Sequence, residues 1–432
     1  MERYAIIGFG CAGYNALSAM REAGFDGEIH VYSEWGDPPA SPMLTTYYVS
    51  GLLQKEGLYP FGSLEEIAKR FDCVIHSNTR VTALNPVTKT VTLDNGTCER
   101  FDKILISTGA TPITPDLGVK NSTRIFYMRS VKDAELLKAT LETGTVSSAV
   151  VIGGSMVGIK VTELLWKRGI HVMLADMAPH IFSATAFEDV AIEVERRVKA
   201  KGVSMSFGSG IRSAQETEES ILTLLDNGKV LESDILILCI GTRGRVDLVQ
   251  GSDIQVNCAI VIKPDMQTSV PGIYAAGDCT EGENMLSHQT TIIGLWANAG
   301  YQGETAGRSM AGQSASYTGN IPHNLTHFMG MDFISFGDVR AQGETRRFGN
   351  PQDKTYIQVT LAEGKIVCVN ILDEYRVSGI IRNYMLNVLS GANEPMPPAL
   401  KGYLAACEME KEFLNLFQIA GETDGEGESY CG

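Results

Sequence analysis

The stretch Tyr4-Ala-Ile-Ile-Gly8-Phe-Gly10-Cys-Ala-Gly13 decides the fold of this chain. An apolar strand pattern leads directly into Gly-x-Gly-x-x-Gly, and residues 14–23 have the spacing of an amphipathic helix. Gly8 permits a tight turn, Gly10 lets a phosphate approach the backbone, and Gly13 lets the helix pack on the strand. A pyrophosphate would bind at the helix N-terminus, where N–H groups and the helix dipole favour an anion. The stretch predicts a dinucleotide site, with an ordinary glycine-rich turn as the alternative.

An acid follows this turn at the distance that a dinucleotide site needs. The next strand pattern covers residues 28–32, and Glu34 lies 21 residues after Gly13. A carboxylate at the end of that strand can accept hydrogen bonds from ribose hydroxyls. Strand, turn, helix and acid together favour the dinucleotide site over the alternative.

The same organisation begins again at residue 149. A buried-strand pattern over residues 149–152 precedes Gly153-Gly-Ser-Met-Val-Gly158, and a later strand pattern ends in Asp176. Ser155 replaces the central glycine, which weakens this motif taken alone. No arginine closely follows Asp176, which favours the unphosphorylated ribose of NADH over NADPH. Two such units in one chain are more specific than either unit alone.

Composition sets the class of the protein. A chain of 432 residues predicts two or three domains. Its net charge of −15 argues against nucleic acid or an anionic membrane as a partner. No apolar run approaches the roughly 20 residues that span a bilayer, and the early first strand leaves no room for a signal peptide. We therefore expect a cytoplasmic protein.

The nine cysteines are scattered, and no two have C-x-x-C spacing. This spacing argues against an iron–sulfur cluster or a zinc ribbon held by this chain alone, and against a secreted disulfide framework. No metal is predicted. His323 and His327 have the i, i+4 spacing of a metal pair on a helix, but Pro322 and the absence of a third ligand argue against that reading.

Further motifs complete the pattern. One strand pattern ends in Thr108-Gly109, another ends in Gly241, and residues 272–278 predict a short strand whose Asp278 precedes a new helix. Helical spacing runs over residues 290–312, strand patterns follow residue 320, and a last helix is predicted over residues 400–417. The order and spacing of these motifs resemble the FAD- and NAD(P)H-dependent pyridine nucleotide-disulfide oxidoreductase superfamily over roughly residues 1–315. The branch of NADH oxidases, coenzyme A-disulfide reductases and ferredoxin or rubredoxin reductases is the most similar.

The resemblance implies an α/β fold, with two Rossmann-like three-layer nucleotide-binding domains and a C-terminal α+β interface domain. The implied boundaries are 1–117 with 243–318 for FAD, 118–242 for NADH, 319–417 for the interface domain and 418–432 for a flexible acidic tail. The interface domain implies a homodimer.

Family roles can be placed on matching residues. Glu34 would bind the adenosine ribose, Val81 the adenine and Asp278 the ribityl chain or phosphate, and Trp296 would lie near the isoalloxazine. The implied FAD contacts are Gly8, Gly10, Cys11, Ala12, Gly13, Glu34, Pro42, Val81, Thr108, Gly109, Gly277, Asp278 and Trp296. The implied NADH contacts are Gly153, Ser155, Met156, Val157, Gly158, Asp176 and Gly241.

The chain departs from the family where the chemistry is done. Disulfide reductases of this kind carry a redox cysteine after the first nucleotide unit, and here that position is Met43. A thioether cannot form a mixed disulfide. The ferredoxin-reductase-like relatives carry Arg and Lys in this loop, and those positions are Ser41 and Thr46. We therefore predict electron transfer without a cysteine relay.

Lys160 stands where relatives often carry a glutamate. Its charge would compensate for the cation lost at Thr46 and would stabilise reduced flavin or orient an anionic acceptor; a solvated helix lysine is the alternative. Tyr47 and Tyr48 reach the active site or only pack, and His288 is an acid/base candidate or a surface histidine. Lys160, Tyr47 and His288 are the predicted catalytic residues.

The remaining cysteines have simpler interpretations. Cys11 and Cys279 lie in cofactor loops as small filler residues, and Cys431 is either a shuttle thiol or an unpaired cysteine of the acidic tail.

Three functions follow from these residues. The first is an NADH-dependent FAD reductase that serves a small-molecule or redox-protein acceptor. The second is an electron-transfer subunit of a hetero-complex that serves ferredoxin or an iron–sulfur subunit, because Gly-Ser-x-x-Gly-Ile-Lys-x-x-Glu-Leu loosely resembles flavin subunits of anaerobic oxidoreductases. The third is a flavin-binding protein that has lost turnover.

Overall fold

The computed structural model describes residues 1–353, 355–392 and 394–417, and the chain divides into two compact units. The first unit contains Met1–Pro179, Val203–Asn284 and His288–Asn320. The second contains His180–Gly202, Met285–Ser287 and the described residues from Ile321 onward. The finer division into three domains and a tail remains a prediction.

The N-terminal segment builds most of one parallel sheet. Its elements are β1 Arg3–Ile7, α1 Cys11–Glu22, β2 Glu28–Tyr32, α2 Thr45–Ser50, α3 Leu64–Phe71, β3 Val74–His76, β4 Val81–Asn85, β5 Thr90–Leu93, β6 Cys98–Arg100, β7 Lys103–Ile106 and β8 Ala110–Pro112. β1 pairs in parallel with β2 and β7, and β3 extends β2. Residues 4–7 are all buried, which explains their continuous apolar run. β4, β5 and β6 form a separate antiparallel sheet.

The next segment builds a second parallel sheet. Its elements are β9 Ile125–Tyr127, α4 Val131–Glu142, β10 Ser148–Ile152, α5 Met156–Lys167, β11 His171–Ala175, α6 Glu188–Lys199, β12 Ser204–Ser206, β13 Ile211–Glu216, β14 Ile221–Leu225, β15 Val230–Ser233 and β16 Ile235–Leu238. The sheet order is β12-β11-β10-β16-β9, and β13 to β15 form an antiparallel sheet. α6 lies within the second compact unit.

The chain then returns to the first sheet. The elements are β17 Thr242–Gly244, β18 Ile260–Val261, β19 Ile273–Ala275, β20 Thr280–Glu283, β21 Thr290–Thr291 and α7 Trp296–Met310. β19 pairs with β7 and gives the order β19-β7-β1-β2-β3, while β17 pairs with β8. A Cβ at Gly303 or Gly307 would lie 2.2 or 2.3 Å from a carbonyl oxygen of α1, so α1 and α7 pack at backbone contact.

Two sequence predictions in this region are wrong. β20, rather than a helix, follows Asp278, because the chain there pairs with β18. Helical spacing was predicted from residue 290, but residues 290–291 form β21 and the helix begins at Trp296.

The second unit is built on an antiparallel sheet. Its further elements are β22 His323–Phe328, β23 Met331–Gly337, β24 Glu344–Gly349, β25 Tyr356–Ala362, β26 Lys365–Leu372, α8 Ser378–Leu389, α9 Pro398–Ala406 and α10 Lys411–Leu414. The strand order is β22-β23-β26-β25-β24. Within this unit α6 is held by Arg197, which bonds to Glu193 and Asp373. The single helix predicted over residues 400–417 is two short helices, α9 and α10.

His323 and His327, whose spacing would suit a metal pair on a helix, both lie on β22. Four residues along a strand separate two side chains by roughly 13 Å, too far for one metal ion. Across the described parts of the chain, no group of three or more potential metal ligands comes together.

The predicted α/β fold class is confirmed: the first unit contains two parallel sheets of the Rossmann-like type, and the second unit combines an antiparallel sheet with helices. None of the helices in the described ranges is long and apolar enough to cross a membrane.

Candidate functional site

A cavity of about 340 Å³ opens where the first glycine-rich turn meets the carboxyl ends of β1, β2 and β7. In open α/β sheets this edge is where ligands bind. The residues lining the cavity include Gly8, Phe9, Gly10, Ser33, Glu34, Ser41, Pro42, Thr45, Arg80, Val81, Thr108, Gly109, Arg129, Lys132 and Arg245. Segments that are distant in sequence, several of which were predicted to bind one dinucleotide, therefore meet at one cavity.

The three glycines of the first turn differ in what they need. Gly8 has φ +97°, and a Cβ there would lie 2.4 Å from the Ser107 carbonyl oxygen. A Cβ at Gly13 would lie 2.6 Å from the Gly8 carbonyl oxygen. A Cβ at Gly10 would meet nothing within 4 Å, and α1 begins there without a side-chain cap. Folding requires Gly8 and Gly13, whereas the space beside Gly10 and the uncapped helix N-terminus fit a pyrophosphate.

Two carboxylates predicted to bind the cofactor form ion pairs with arginines. The Arg245 Nη2 atom lies 2.6 Å from the Glu34 Oε2 atom, and the Arg80 Nη1 atom lies 3.8 Å from the Glu34 Oε1 atom. The Arg129 Nη2 atom lies 2.6 Å from the Asp278 Oδ2 atom. Arg129 and Arg245 line the cavity, so they bring positive charge to a site predicted to bind an anion.

Neither Arg129 nor Arg245 was predicted from the sequence. Arg129 had a local signal, because it directly precedes Ser130 and Asp133, which form a capping box at the start of α4. Arg245 had none, since Glu34 is 211 residues away along the chain. Only the fold brings Arg245 and Glu34 together.

The second glycine-rich turn is packed more tightly. Gly153 has φ +119°, and a Cβ at Gly158 would lie 1.8 Å from the Gly153 carbonyl oxygen. The Ser155 hydroxyl accepts a hydrogen bond from the Gly158 N–H (3.3 Å) and donates one to the Cys239 carbonyl (3.3 Å). Ser155 is thus the N-cap of α5, a role that explains serine at the central glycine position.

The acid of the second unit is held by backbone groups. Asp176 accepts hydrogen bonds from the N–H groups of Gly154 (2.5 Å) and Ala178 (2.8 Å). Met156 and Val157 are the first two residues of α5. Gly241, three residues after the end of β16, has φ +101°. A helix N-terminus with an oriented carboxylate beside it fits the adenosine and pyrophosphate of a nicotinamide dinucleotide.

Loop residues 41–46 reach the first cavity without a thiol. Ser41, Pro42 and Thr45 line the cavity, and Thr45 donates a hydrogen bond to the Pro42 carbonyl (2.8 Å). Met43 is 61% exposed, and Thr46 is buried at the start of α2. The position at which relatives carry a redox cysteine is therefore occupied by the exposed thioether of Met43.

Two predicted catalytic residues, Lys160 and Tyr47, are neighbours in the structure. The Lys160 ammonium lies 5.0 Å from the centre of the Tyr47 ring and 2.5 Å from the Glu163 Oε2 atom. Glu163, which is 3% exposed, also bonds to the Lys167 ammonium at 2.9 Å. Tyr48 lies beside Lys138 of α4, with 4.1 Å between ammonium and ring centre. Glu163 lies one turn after Lys160 and was quoted only as part of a motif, so its contact with Lys160 was not predicted from the sequence.

The cysteines nearest the cofactor loops are protonated at neutral pH. Burial, with a smaller contribution from the Asp278 charge, raises the pKa of Cys11 to about 12. Burial alone raises the pKa of Cys239 to about 12, and burial also raises the pKa of Cys279. The Cys11 thiol donates a hydrogen bond to the Trp296 carbonyl at 3.3 Å. All three thiols are buried, and the filler role of Cys11 and Cys279 remains a prediction.

The other candidate residues are dispersed. Trp296 is the first residue of α7, and its ring stacks on the Phe61 ring with their centres 5.8 Å apart. His288 has φ +53°, its side chain is 75% exposed, and it lies 3.2 Å from Glu283. The acid/base role of His288 and the flavin contact of Trp296 remain predictions. Cys431 and the acidic tail lie outside the described residues.

Comparison with known proteins supplies the family. Residues 2–303 match the model for the pyridine nucleotide-disulphide oxidoreductases. The chain belongs to that family. It is an FAD-dependent NADH oxidoreductase, and the predicted cofactors, FAD and NADH, are confirmed.

Individual relatives resemble most of the chain. The epsilon subunit of NADH-dependent phenylglyoxylate dehydrogenase from Aromatoleum evansii is 26% identical over 390 residues, 89% of this chain and 91% of the relative. The NADH-rubredoxin oxidoreductase of Clostridium acetobutylicum is 25% identical over 377 residues, 85% and 90% of the two chains. The structure of the water-forming NADH oxidase from Lactobacillus brevis superposes with a TM-score of 0.83 at 22% identity, over 90% of this chain and 91% of that one.

Proposed function

We propose that this flavoprotein passes electrons from NADH through FAD directly to a redox protein, without a cysteine relay. The observation that carries the proposal is the segment from Ser41 to Ser50, which contains neither cysteine nor lysine and exposes Met43. Disulfide exchange requires a thiolate nucleophile, and this segment cannot supply one.

The chain's own residues divide the binding between two sites. Gly8, Gly10 and Gly13 with Glu34 and Asp278 would hold FAD, and residues 153–158 with Asp176 would hold NADH. When bound, FAD accepts a hydride from NADH and releases the electrons to the acceptor. Arg129 and Lys132 add positive charge beside the first turn, which favours a dianionic pyrophosphate.

Other thiols of the first cofactor site do not replace the missing cysteine. Cys11 and Cys279 are buried, and their raised pKa values keep them as thiols. A protonated, buried thiol neither attacks a disulfide nor interacts with flavin as a thiolate. The residues of this site would therefore suit acceptors that need no covalent intermediate.

Lys160 is the proposed source of positive charge for this chemistry. Its ammonium is oriented by the buried carboxylate of Glu163 and by the face of the Tyr47 ring. The same carboxylate contacts the Lys167 ammonium, and Lys160 carries its positive charge beside this group. Such a charge would favour a reduced, anionic flavin or an acidic acceptor.

A protein acceptor is favoured by two relatives. One is named as a subunit of a dehydrogenase, and the other is named for rubredoxin as its partner. The chain covers about nine-tenths of each. A small redox protein or an iron–sulfur subunit is therefore the proposed acceptor, and a homodimer or hetero-complex is the proposed assembly.

The test is anaerobic titration of the purified flavoprotein with NADH and with NADPH. Stopped-flow mixing of the reduced protein with oxygen, small quinones, disulfides, rubredoxin and ferredoxin would follow. We expect NADH to bleach the flavin faster than NADPH, and reoxidation to be fast only with a redox protein. Fast reoxidation by oxygen would instead establish an oxidase. A flavin that NADH does not bleach would establish the third function, a protein without turnover.

A substitution tests the cysteine-free step separately. We expect Met43→Cys to introduce disulfide reductase activity that the wild-type protein lacks, because the thiol would occupy the position of the family's redox cysteine. The matched control is Leu52→Cys, which places a thiol at another exposed apolar position just beyond α2. If the wild-type protein itself reduced disulfides as fast as Met43→Cys, the proposal would be contradicted.

A further inference from the structure

The Arg245 side chain forms an ion pair with Glu34 at the first cavity. Both residues line the cavity, and 2.6 Å separates the Arg245 Nη2 atom from the Glu34 Oε2 atom. Glu34 follows β2 in the first nucleotide unit. Arg245 directly follows β17, at the point where the chain returns from the second nucleotide unit. The ion pair thus joins two segments that are far apart along the chain.

The backbone of Arg245 is fixed before its side chain reaches the carboxylate. Its N–H donates to the Gly109 carbonyl at 2.9 Å, and its carbonyl accepts the Thr108 hydroxyl at 2.7 Å. A Cβ at the preceding Gly244 would lie only 3.1 Å from the Asp278 carbonyl oxygen. Because this segment packs so closely, the guanidinium extends from a defined position and loses little further freedom when it pairs.

We propose that the Arg245–Glu34 pair is a latch that retains bound FAD. The inference rests on the proposed assignment of Glu34 to the adenosine ribose. A carboxylate has about four acceptor positions, so Glu34 can accept ribose hydroxyls while it remains paired with Arg245. The guanidinium also offsets the repulsion between this carboxylate and a dianionic pyrophosphate. FAD then leaves only when the segment carrying Arg245 separates from Glu34.

Arg80 contacts the same carboxylate and provides the comparison. Its Nη1 atom lies 3.8 Å from the Glu34 Oε1 atom, and its side chain is 56% exposed, against 31% for Arg245. An exposed ion pair at that distance contributes little. Arg80→Met and Arg245→Met remove the same charge from the same acid, so their difference isolates the direct pair.

The experiment measures release of FAD from the holoprotein, followed by the increase in flavin fluorescence after dilution. We expect Arg245→Met to release FAD about fivefold faster than wild type and Arg80→Met less than about twofold faster. Added salt should accelerate release from wild type more than from Arg245→Met, because the latch is electrostatic. Arg245→Lys should recover part of the retention.

A double-mutant cycle with Glu34→Gln separates the latch from the assignment of Glu34. We expect Glu34→Gln to speed release by itself, and Arg245→Met to add almost nothing in that background. Equal effects of Arg245→Met and Arg80→Met, slower release by Arg245→Met, or an undiminished effect in the Glu34→Gln background would overturn the latch. If Glu34→Gln leaves FAD affinity and release unchanged, the ribose assignment itself fails. Unfolding of the FAD-free variants checks that each is folded.

Discussion

The two nucleotide units of this protein share one plan but differ at their helix N-termini. Each has a buried strand, a glycine-rich turn, a helix and an acid after the next strand. In the first unit α1 has no side-chain cap, and space remains beside Gly10. In the second unit the Ser155 hydroxyl caps α5, and the turn is packed against the Cys239 carbonyl.

The acids differ in the same way. Glu34 pairs with the guanidinium groups of Arg245 and Arg80, while Asp176 accepts two backbone N–H groups close to its own turn. The acid of the first unit is therefore held by side chains of other segments, whereas the acid of the second unit is held by backbone groups of and near its own turn. We infer that the first site retains its cofactor and that the second site exchanges its nucleotide, as an enzyme with bound FAD and diffusing NADH requires.

The largest expected effect is on the tighter turn. Gly158→Ala would place a Cβ 1.8 Å from the Gly153 carbonyl oxygen, so we expect a loss of about 3 kcal/mol in the free energy of unfolding. Reduction by NADH should be lost with it. Chemical denaturation and stopped-flow bleaching measure the two effects. Gly379→Ala is the control, because its Cβ in α8 would meet nothing within 4 Å. Equal stability of the two variants would contradict this account.

The next effect separates binding from folding in the first unit. Gly10 has φ −104° and open space at its Cβ position, so Gly10→Ala should leave the stability of the FAD-free protein nearly unchanged. The methyl group should nevertheless weaken FAD binding by up to about 100-fold, through overlap with the pyrophosphate. FAD titration of the apoprotein and denaturant unfolding measure the two quantities. Unchanged FAD affinity would mean that the pyrophosphate does not bind beside Gly10.

A smaller effect concerns the charge carried by α5. Lys160→Glu places a carboxylate beside Glu163, and we expect bleaching of the flavin by NADH to slow by about tenfold. Lys167→Glu is matched to it, since Lys167 contacts the same Glu163 but is 51% exposed. Lys167→Glu should change the rate much less. If neither flavin reduction nor acceptor turnover responds to Lys160→Glu, the proposed role of Lys160 is wrong.

The smallest expected effect is a pH dependence of stability that arises from His76 in the first nucleotide unit. Burial, and then the charge of His30, lowers the pKa of His76 in β3, whose Nε2 atom lies 3.1 Å from the His30 Nδ1 atom. The unfolded chain therefore binds this proton more readily than the folded chain, and stability should fall as pH drops from 7 toward 5. His76→Gln should reduce that slope in denaturant unfolding at several pH values. His171→Gln, at an exposed position in β11, is the control.

The two nucleotide units could be predicted from the sequence because their motifs are local. Glycine spacing, the following helix and an acid about 20 residues later lie within one short segment, so both nucleotide units could be predicted from sequence. The absence of a cysteine at Met43 was equally visible. One wrong prediction came where two structures fit one pattern: the chain after Asp278 pairs with β18 instead of forming a helix.

The sequence by itself determined the family, the two strand–turn–helix units and the absence of a cysteine at Met43, because each depends on residues that are close along the chain. The tertiary structure decided which distant charges meet. Arg245 reaches Glu34 across 211 residues, Arg129 reaches Asp278 across 149, and Lys160 meets the Tyr47 ring. These contacts have no local signature, since ion pairs between segments depend on how parallel strands and their returning loops are arranged in space.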